Sequence, residues 1–108
     1  MVGHLAVPAL GDGKKSSSVS KEIMTNFLRN ELGWKGLIIS DALNMHAVSK
    51  DFSAKGGVEY AAFDAGNDVL CFADNIAEGI QKILDNCNYI RIEESFQRFW
   101  KLKERAFE

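Results

Sequence analysis

A single carboxylate directly after a short apolar run is the feature of this sequence with the clearest potential for chemistry. Leu37-Ile38-Ile39 predicts a buried strand, and Ser40 and Asp41 follow it. In a barrel of parallel strands, a polar residue just past the carboxyl end of a strand faces the active-site mouth. Asp41 is therefore the candidate catalytic residue. On the residues alone, an aspartate after a strand is more often a turn former or a helix cap, and this alternative stays open.

One histidine could share that mouth. His4 lies within or at the end of the first predicted strand, which runs from Met1 to Val7 before Pro8 ends it. A single histidine in an apolar strand is as often a hydrogen-bonded core residue as a ligand-binding one. The sequence alone does not decide between a core role and a ligand-binding role for His4.

The elements that must position these residues alternate between strands and helices. Strands are predicted at Met1–Val7, 36–40 and 68–72, because these runs are apolar and bounded by turn residues. Between the first two strands, a surface loop is predicted at Gly11–Ser18, where Gly, Lys and Ser dominate. A helix is then predicted from the cap at Ser20 to the stop at Gly33.

Further helices are predicted in the second half of the chain. Residues 43–52 predict a loop with one helical turn, and Ala54–Ala65 a helix that Gly66 ends. Asp74 or Asn75 can cap a third helix. The last helix carries an apolar stripe expected in the core: Ile92, Phe96, Phe99, Trp100 and Phe107.

Strands that alternate with helices of this length indicate right-handed crossovers and a parallel sheet, hence an α/β fold. Three strands do not close a barrel. Two architectures remain: a small open α/β unit, or the trailing part of an eight-stranded barrel. A chain that opens on a buried strand favours a piece of something larger.

Composition excludes several classes of protein. The 108 residues suit a single small domain, and 13 basic against 15 acidic residues do not favour nucleic acid as a partner. The apolar runs are too short for a membrane span. Cys71 and Cys87 are predicted to be small buried hydrophobes, and with His4 and His46 they do not make a zinc site, so no metal is expected.

The motifs resemble glycoside hydrolase family 3, in its β-N-acetylhexosaminidase branch. The resemblance covers Met1 to about Lys103 and rests on four segments in the family's order and spacing. These are Met1-Val2-Gly3-His4 with Pro8, Leu28 to Gly36, Ile39 to Met45, and Asp64 to Asp68. It implies a partial TIM barrel, the last three strand-helix units with parallel strands inside and helices outside. Residues 1–108 would then form a single C-terminal segment of the catalytic barrel.

The resemblance also implies roles for individual residues. Asp41 corresponds to the nucleophile of a retaining mechanism. Met45 resembles a position near the sugar-binding face. Met45 and His4, whose strand could line the same mouth, are therefore the expected substrate-binding residues. The family's acid/base histidine and aspartate, carried on a mobile loop, match nothing in this chain. The parent enzyme would act on a carbohydrate without a cofactor, and this chain alone is expected to be inactive.

Sugar specificity is less sharply defined. Many hexosaminidases of the family have a second aspartate after the nucleophile and the glucosidase branch has tryptophan, whereas this chain has Ala42. Leu43 and Met45 favour the hexosaminidase branch. A β-glucosidase or β-xylosidase of the same family is the alternative.

Two non-glycosidase interpretations complete the set. The chain could be a non-catalytic α/β module that forms a homo-oligomer through the open edges of its sheet. It could also be a flavodoxin-type unit that binds a phosphate or nucleotide, but no glycine-rich phosphate loop follows a predicted strand.

Overall fold

A computed structural model describes residues 1–11 and 13–107 of the chain. A short 3₁₀ turn, Ser17–Val19, precedes a π-helix, Glu22–Glu31. Four α-helices follow: α1 at His46–Ser49, α2 at Gly57–Ala65, α3 at Ile76–Asn86 and α4 at Tyr89–Ala106. None of these helices in the described ranges is long and apolar enough to cross a bilayer.

The predicted partial TIM barrel with parallel strands is wrong. The described residues contain no β-strand, and the three predicted strands meet only through isolated parallel bridges, Val2 with Ser40 and Ile39 with Val69. Side chains interrupt the ladder on both sides of the second bridge. The Ile38 amide donates to the Asp68 carboxylate at 2.9 Å, and the Cys71 amide donates to Ser40 Oγ at 3.1 Å. Backbone donors that would extend the pairing are thus used by side chains.

The helix predicted from Ser20 to Gly33 is present but wound more widely than an α-helix. The Leu32 amide donates to the Phe27 carbonyl at 2.9 Å, the five-residue spacing of a π-helix. Ser20 Oγ accepts from the Ile23 amide at 3.4 Å, close to the predicted cap. Gly33 lies just past the end with a φ of +71°, a conformation that favours glycine, as its prediction as the stop requires.

Two small hydrophobic clusters form the core. One contains Leu43, Val48, Val58 and Ala62, and the other contains Met24, Ile38 and Ala65. Gly66 ends α2 where predicted, with a φ of +139°, and a Cβ there would lie 3.2 Å from the Met24 side chain. This glycine lets α2 approach the π-helix closely.

The predicted surface loop at Gly11–Ser18 is wrong at its serine end. Ser16, Ser17 and Ser18 are buried, and Ser18 has no exposed surface. Their hydroxyls are paired inside the protein: Ser17 Oγ accepts from the Leu5 amide at 3.1 Å and donates to the Gly3 carbonyl. Polar side chains are tolerated in the interior when they are hydrogen-bonded in this way. Asp12, within the same segment, lies outside the described residues.

The aromatic stripe of α4 is not in the core. Phe96 is 52% exposed and Trp100 47% exposed, and the two rings stack with their centroids 6.1 Å apart. Phe99 and Phe107 are exposed as well. The prediction that this stripe is buried is therefore wrong within this chain, because α4 packs through its polar residues instead.

Those polar residues converge on the buried carboxylate of Asp68. Its side chain has no exposed surface and lies 2.6 Å from Arg29 Nη2, 2.9 Å from Arg98 Nη1 and 3.5 Å from Arg91 Nη1. Ser95 Oγ donates to it at 2.6 Å. Together with the Ile38 amide, these contacts join the π-helix, α4 and the segment before Asp41. We refer to Asp68, Arg29, Arg91, Arg98 and Ser95 as the Asp68 cluster.

Burial acts on the arginines of this cluster. It lowers the pKa of Arg29 and of Arg91 from the ordinary value, while the charge of Asp68 opposes that effect. Arg91 has further partners, since Nη2 donates to the Phe63 carbonyl at 2.7 Å and to the Asn67 carbonyl at 2.9 Å. A charge removed from water needs this kind of compensation to be tolerated.

Replacing Asp68 with asparagine tests the cluster. Asp68→Asn leaves buried guanidinium groups without a counter-charge, so we expect the free energy of unfolding to fall by about 3 kcal/mol or more, the typical cost of breaking a buried ion pair. Urea denaturation followed by circular dichroism measures the change. Asp64→Asn is the matched control, because the Asp64 ion pair with Lys21 is exposed at the surface. Equal losses in the two variants would contradict the central role of Asp68.

Candidate functional site

Asp41 lies at the end of the extended segment that Asp68 anchors. The Asp41 amide donates to the Val2 carbonyl at 2.9 Å, and the preceding Ser40 amide donates to the Val69 carbonyl at 3.0 Å. Neighbouring chain segments therefore hold the backbone from both sides. The Asp41 side chain is half-buried, and its Oδ1 accepts from the Ala42 amide at 2.8 Å. This contact restricts the orientation of the carboxyl group.

All three predicted site residues meet at Ala42. While Asp41 takes the Ala42 amide, His4 Nε2 contacts the Ala42 carbonyl at 2.8 Å and the Met45 amide donates to the same carbonyl at 3.3 Å. Met45 immediately precedes α1, and 43% of its surface is exposed. The structure therefore brings His4, Asp41 and Met45 into one small region around the backbone of a single residue, Ala42.

Both ring nitrogens of His4 are occupied by the protein. A carbonyl oxygen only accepts, so Nε2 donates to Ala42, and Nδ1 lies 2.5 Å from Ser18 Oγ. In the tautomer that carries its hydrogen on Nε2, Nδ1 accepts a hydrogen bond from the Ser18 hydroxyl. His4 thus has the hydrogen-bonded role that was one of its two interpretations.

Ser18 and Asn67 support this arrangement and were not identified from the sequence. Ser18 is fully buried, and its carbonyl accepts from Asn67 Nδ2 at 2.8 Å. The same amide donates to the Ala62 carbonyl at 2.8 Å, which ties the His4 region to α2. Three consecutive serines, Ser16 to Ser18, were the available signal, but serine clusters also mark exposed loops.

The chemistry open to this site is that of one carboxylate. Asp41 Oδ1 is engaged by the Ala42 amide, and within the described ranges Oδ2 makes no hydrogen bond, so it is available to an incoming group. Five cavities with volumes from 110 to 430 Å³ lie elsewhere, and Asp41 lines none of those five. Asp41 is half-buried, so its carboxylate is neither fully enclosed nor fully exposed.

The described residues include no group of three histidine, cysteine or acidic side chains that could hold a metal ion. The two cysteines are free and partly exposed, so the prediction that both are buried is wrong. Partial burial, followed by the charge of Asp64, raises the pKa of the Cys87 thiol above its ordinary value. A raised pKa leaves less thiolate and makes Cys87 a poor nucleophile.

Comparison with known proteins then places the chain. Residues 1–102 match the family model described as the glycosyl hydrolase family 3 N-terminal domain. The chain belongs to this family. The match covers nearly the whole sequence and agrees with the family that the motifs resemble, but it does not confirm that the chain is a C-terminal segment.

This chain is similar to a part of several longer proteins. A β-hexosaminidase A from Pseudoalteromonas piscicida is 34% identical over 79 residues, 64% of this chain and 13% of that protein. A β-hexosaminidase from Xanthomonas oryzae is 31% identical over 77% of this chain and 25% of its own length. The structure of a fungal multi-domain family 3 β-N-acetylglucosaminidase superposes with a TM-score of 0.84 at 30% identity, over 96% of this chain and 13% of that one. The chain thus spans a quarter or less of these proteins.

The His4 contacts predict the behaviour of variants of this family 3 chain. His4→Ala leaves the buried Ser18 hydroxyl and the Ala42 carbonyl without this partner, so we expect a loss of about 1–3 kcal/mol in the free energy of unfolding. His4→Gln offers an amide that can donate to the Ala42 carbonyl and should restore part of the loss. Denaturant unfolding measures both variants. A His4→Ala variant as stable as the parent would contradict the arrangement.

The raised pKa of Cys87 predicts slow alkylation. In a Cys71→Ala background, iodoacetamide should modify Cys87 more slowly near pH 8 than it modifies an unfolded cysteine peptide, because less thiolate is present. Because the pKa is raised, the folded state favours the neutral thiol. The stability that comes from this preference is fully present at a pH below the pKa of Cys87 in the unfolded chain. It is lost as the pH rises through the pKa of Cys87 in the folded chain. Mass spectrometry over a pH series measures the rate. A rate equal to that of the peptide would contradict the shift.

Proposed function

We propose that this chain carries the nucleophile of a retaining glycosidase acting on terminal β-linked N-acetylglucosamine. The chain belongs to glycosyl hydrolase family 3, and the relatives at 31–34% identity are β-hexosaminidases. One observation carries the assignment to a residue: the Asp41 carboxylate is fixed through Oδ1 and leaves Oδ2 without a hydrogen bond in the described structure. A β-glucosidase or β-xylosidase is the alternative specificity.

In the proposed reaction, Asp41 Oδ2 attacks the anomeric carbon of the sugar. A bond forms between Oδ2 and C1 while the bond from C1 to the leaving oxygen breaks, and the electron pair stays on that oxygen. Water later attacks C1 and releases the aspartate as a carboxylate. The first step needs a carboxylate oxygen that the protein does not occupy, and Asp41 Oδ2 makes no hydrogen bond among the described residues.

His4 is proposed as a positioning residue rather than a direct hydrogen-bonding partner of the sugar. Both of its nitrogens are used, and its Nε2 contact fixes the carbonyl of the residue next to Asp41. Met45, whose backbone amide donates to the same carbonyl, is exposed and is proposed to line the face that receives the sugar. A thioether suits the apolar face of a pyranose ring because it is polarisable and adaptable.

The chain by itself is proposed not to turn over substrate. Retaining hydrolysis also needs an acid that protonates the leaving oxygen and then a base that activates water. No second carboxyl or imidazole group forms a hydrogen bond with the Asp41 side chain in the described residues, and both ring nitrogens of His4 are occupied by Ser18 and Ala42. Hydrolysis of p-nitrophenyl N-acetyl-β-glucosaminide should therefore not proceed through repeated cycles.

A leaving group that requires no proton isolates the role of Asp41. A 5-fluoro-N-acetylglucosaminyl fluoride loses fluoride without acid assistance, and the ring fluorine slows release of the sugar. We expect a covalent adduct on the peptide containing Asp41, detected by mass spectrometry after proteolysis. The corresponding glucosyl and xylosyl fluorides test the alternative specificities.

Two variants control this experiment. Asp41→Asn keeps the size of the side chain but removes the nucleophilic carboxylate, so the adduct should disappear. Asp51→Asn changes an exposed aspartate that follows α1 and should leave labelling unchanged. Labelling of Asp41→Asn, or a failure of the parent chain to label with any of the three sugars, would overturn the proposal.

A further inference from the structure

A second charged site lies on a different part of the molecule, where a cavity of about 290 Å³ separates α4 from the segment after the π-helix. Four cationic side chains line it: Lys35, Arg98, Lys101 and Arg105. Gly36, Leu37 and Leu102 complete the lining, which includes no acidic residue. This concentration of positive charge stands out in a chain whose net charge is −2.

Three of the four cations have no counter-charge. Arg98 is paired with Asp68 and also lies 3.8 Å from Glu94. Within residues 1–11 and 13–107, Lys35, Lys101 and Arg105 form no ion pair. Like charges that lie around one cavity repel one another, and an anion bound between them would reduce that repulsion.

The helix dipole accounts for only part of this pattern. Basic residues near the end of α4, such as Arg105, interact favourably with the helix carboxyl terminus. Lys35 belongs to a separate segment, so the dipole of α4 does not explain its presence on the opposite wall. Two walls that each contribute cations resemble the arrangement of a built anion site.

Both walls are held in place by the Asp68 cluster. Arg29 Nη1 donates to the Gly36 carbonyl at 2.6 Å, and Trp34 Nε1 donates to the Leu37 carbonyl at 3.2 Å. On the other wall, Arg98 is fixed by its 2.9 Å contact with Asp68. The cavity is therefore pre-formed, which lowers the entropic cost of binding.

We propose that this cavity binds a phosphoryl group carried by a small organic molecule. A dianionic phosphoryl group offers several acceptor oxygens to the ammonium and guanidinium groups of the residues that line the cavity. Leu37 and Leu102 provide apolar surface for the carbon part of a phosphate ester, which free phosphate lacks. The adjoining cavity is a poorer candidate, since Glu93 and Glu94 line it.

Isothermal titration calorimetry of the full chain with phenyl phosphate tests the proposal at constant ionic strength. We expect saturable binding that is weaker by roughly tenfold or more in Lys101→Gln/Arg105→Gln, the effect of losing charge-assisted hydrogen bonds. Lys103→Gln is the matched control on the same helix: its ammonium lies over the Phe99 ring and does not line the cavity. That variant should bind like the parent chain, and circular dichroism confirms that all variants are folded.

Inorganic phosphate and polyphosphate form the other arms of the experiment. We expect inorganic phosphate to bind more weakly than phenyl phosphate, because it gains nothing from Leu37 and Leu102. No saturable binding at millimolar phenyl phosphate, or equal weakening by Lys103→Gln, would overturn the proposal. Equal affinity for inorganic phosphate, or a preference for polyphosphate, would overturn the assignment to a small ester. None of these outcomes depends on whether Asp41 is labelled by a glycosyl fluoride.

Discussion

The double contact between Asp68 and Ile38 is the constraint on which the rest of this structure depends. The Asp68 side chain accepts from the Ile38 amide at 2.9 Å, while the Asp68 amide donates to the Ile38 carbonyl at 2.9 Å. This pair fixes the register between two extended segments that share only one β-bridge. Arginines from the π-helix and α4 then neutralise the buried carboxylate, so the same residue joins the helices to the extended segments.

Asp41 lies three residues beyond Ile38, so the register between the two segments also determines its position. The alternation of hydrogen bonds from Ile38 to Leu43 reaches Val2 on one side and residues 68–71 on the other. His4 adds a contact to Ala42 from the first segment, and buried Ser18 and Asn67 hold His4. The arrangement thus links a fully buried structural carboxylate, Asp68, to the half-buried carboxylate of Asp41.

Local patterns predicted the helices and their glycine ends well. The spacing of apolar residues located the helices, and Gly33 and Gly66 end them with positive φ values. Runs such as Gly36–Ser40 were wrongly predicted as strands, because an apolar run does not reveal that Asp68 and Ser40 side chains replace the next backbone partners. Patterning also failed for α4, whose aromatic residues are exposed while Arg91, Ser95 and Arg98 face a buried charge.

The sequence suggested which residues belong to the candidate site, but it did not predict how they are arranged. Asp41 was predicted from its place after an apolar run, and its role stays a prediction, whereas the contact of His4 with Ala42 spans 38 positions in sequence and has no local signal. Ser18 and Asn67 were missed for the same reason. Long-range side-chain to backbone contacts of this kind depend on the packed structure, and single-sequence patterns carry no information on them.

Native-state hydrogen exchange at the Ile38 amide tests the role of Asp68 most directly. An amide that donates to a fully buried, charge-compensated carboxylate should exchange only when the whole chain unfolds. We therefore predict that the free energy of opening at Ile38 equals the global free energy of unfolding from denaturant titration. Exchange at Ile38 through a local fluctuation, with a free energy well below the global value, would contradict the account.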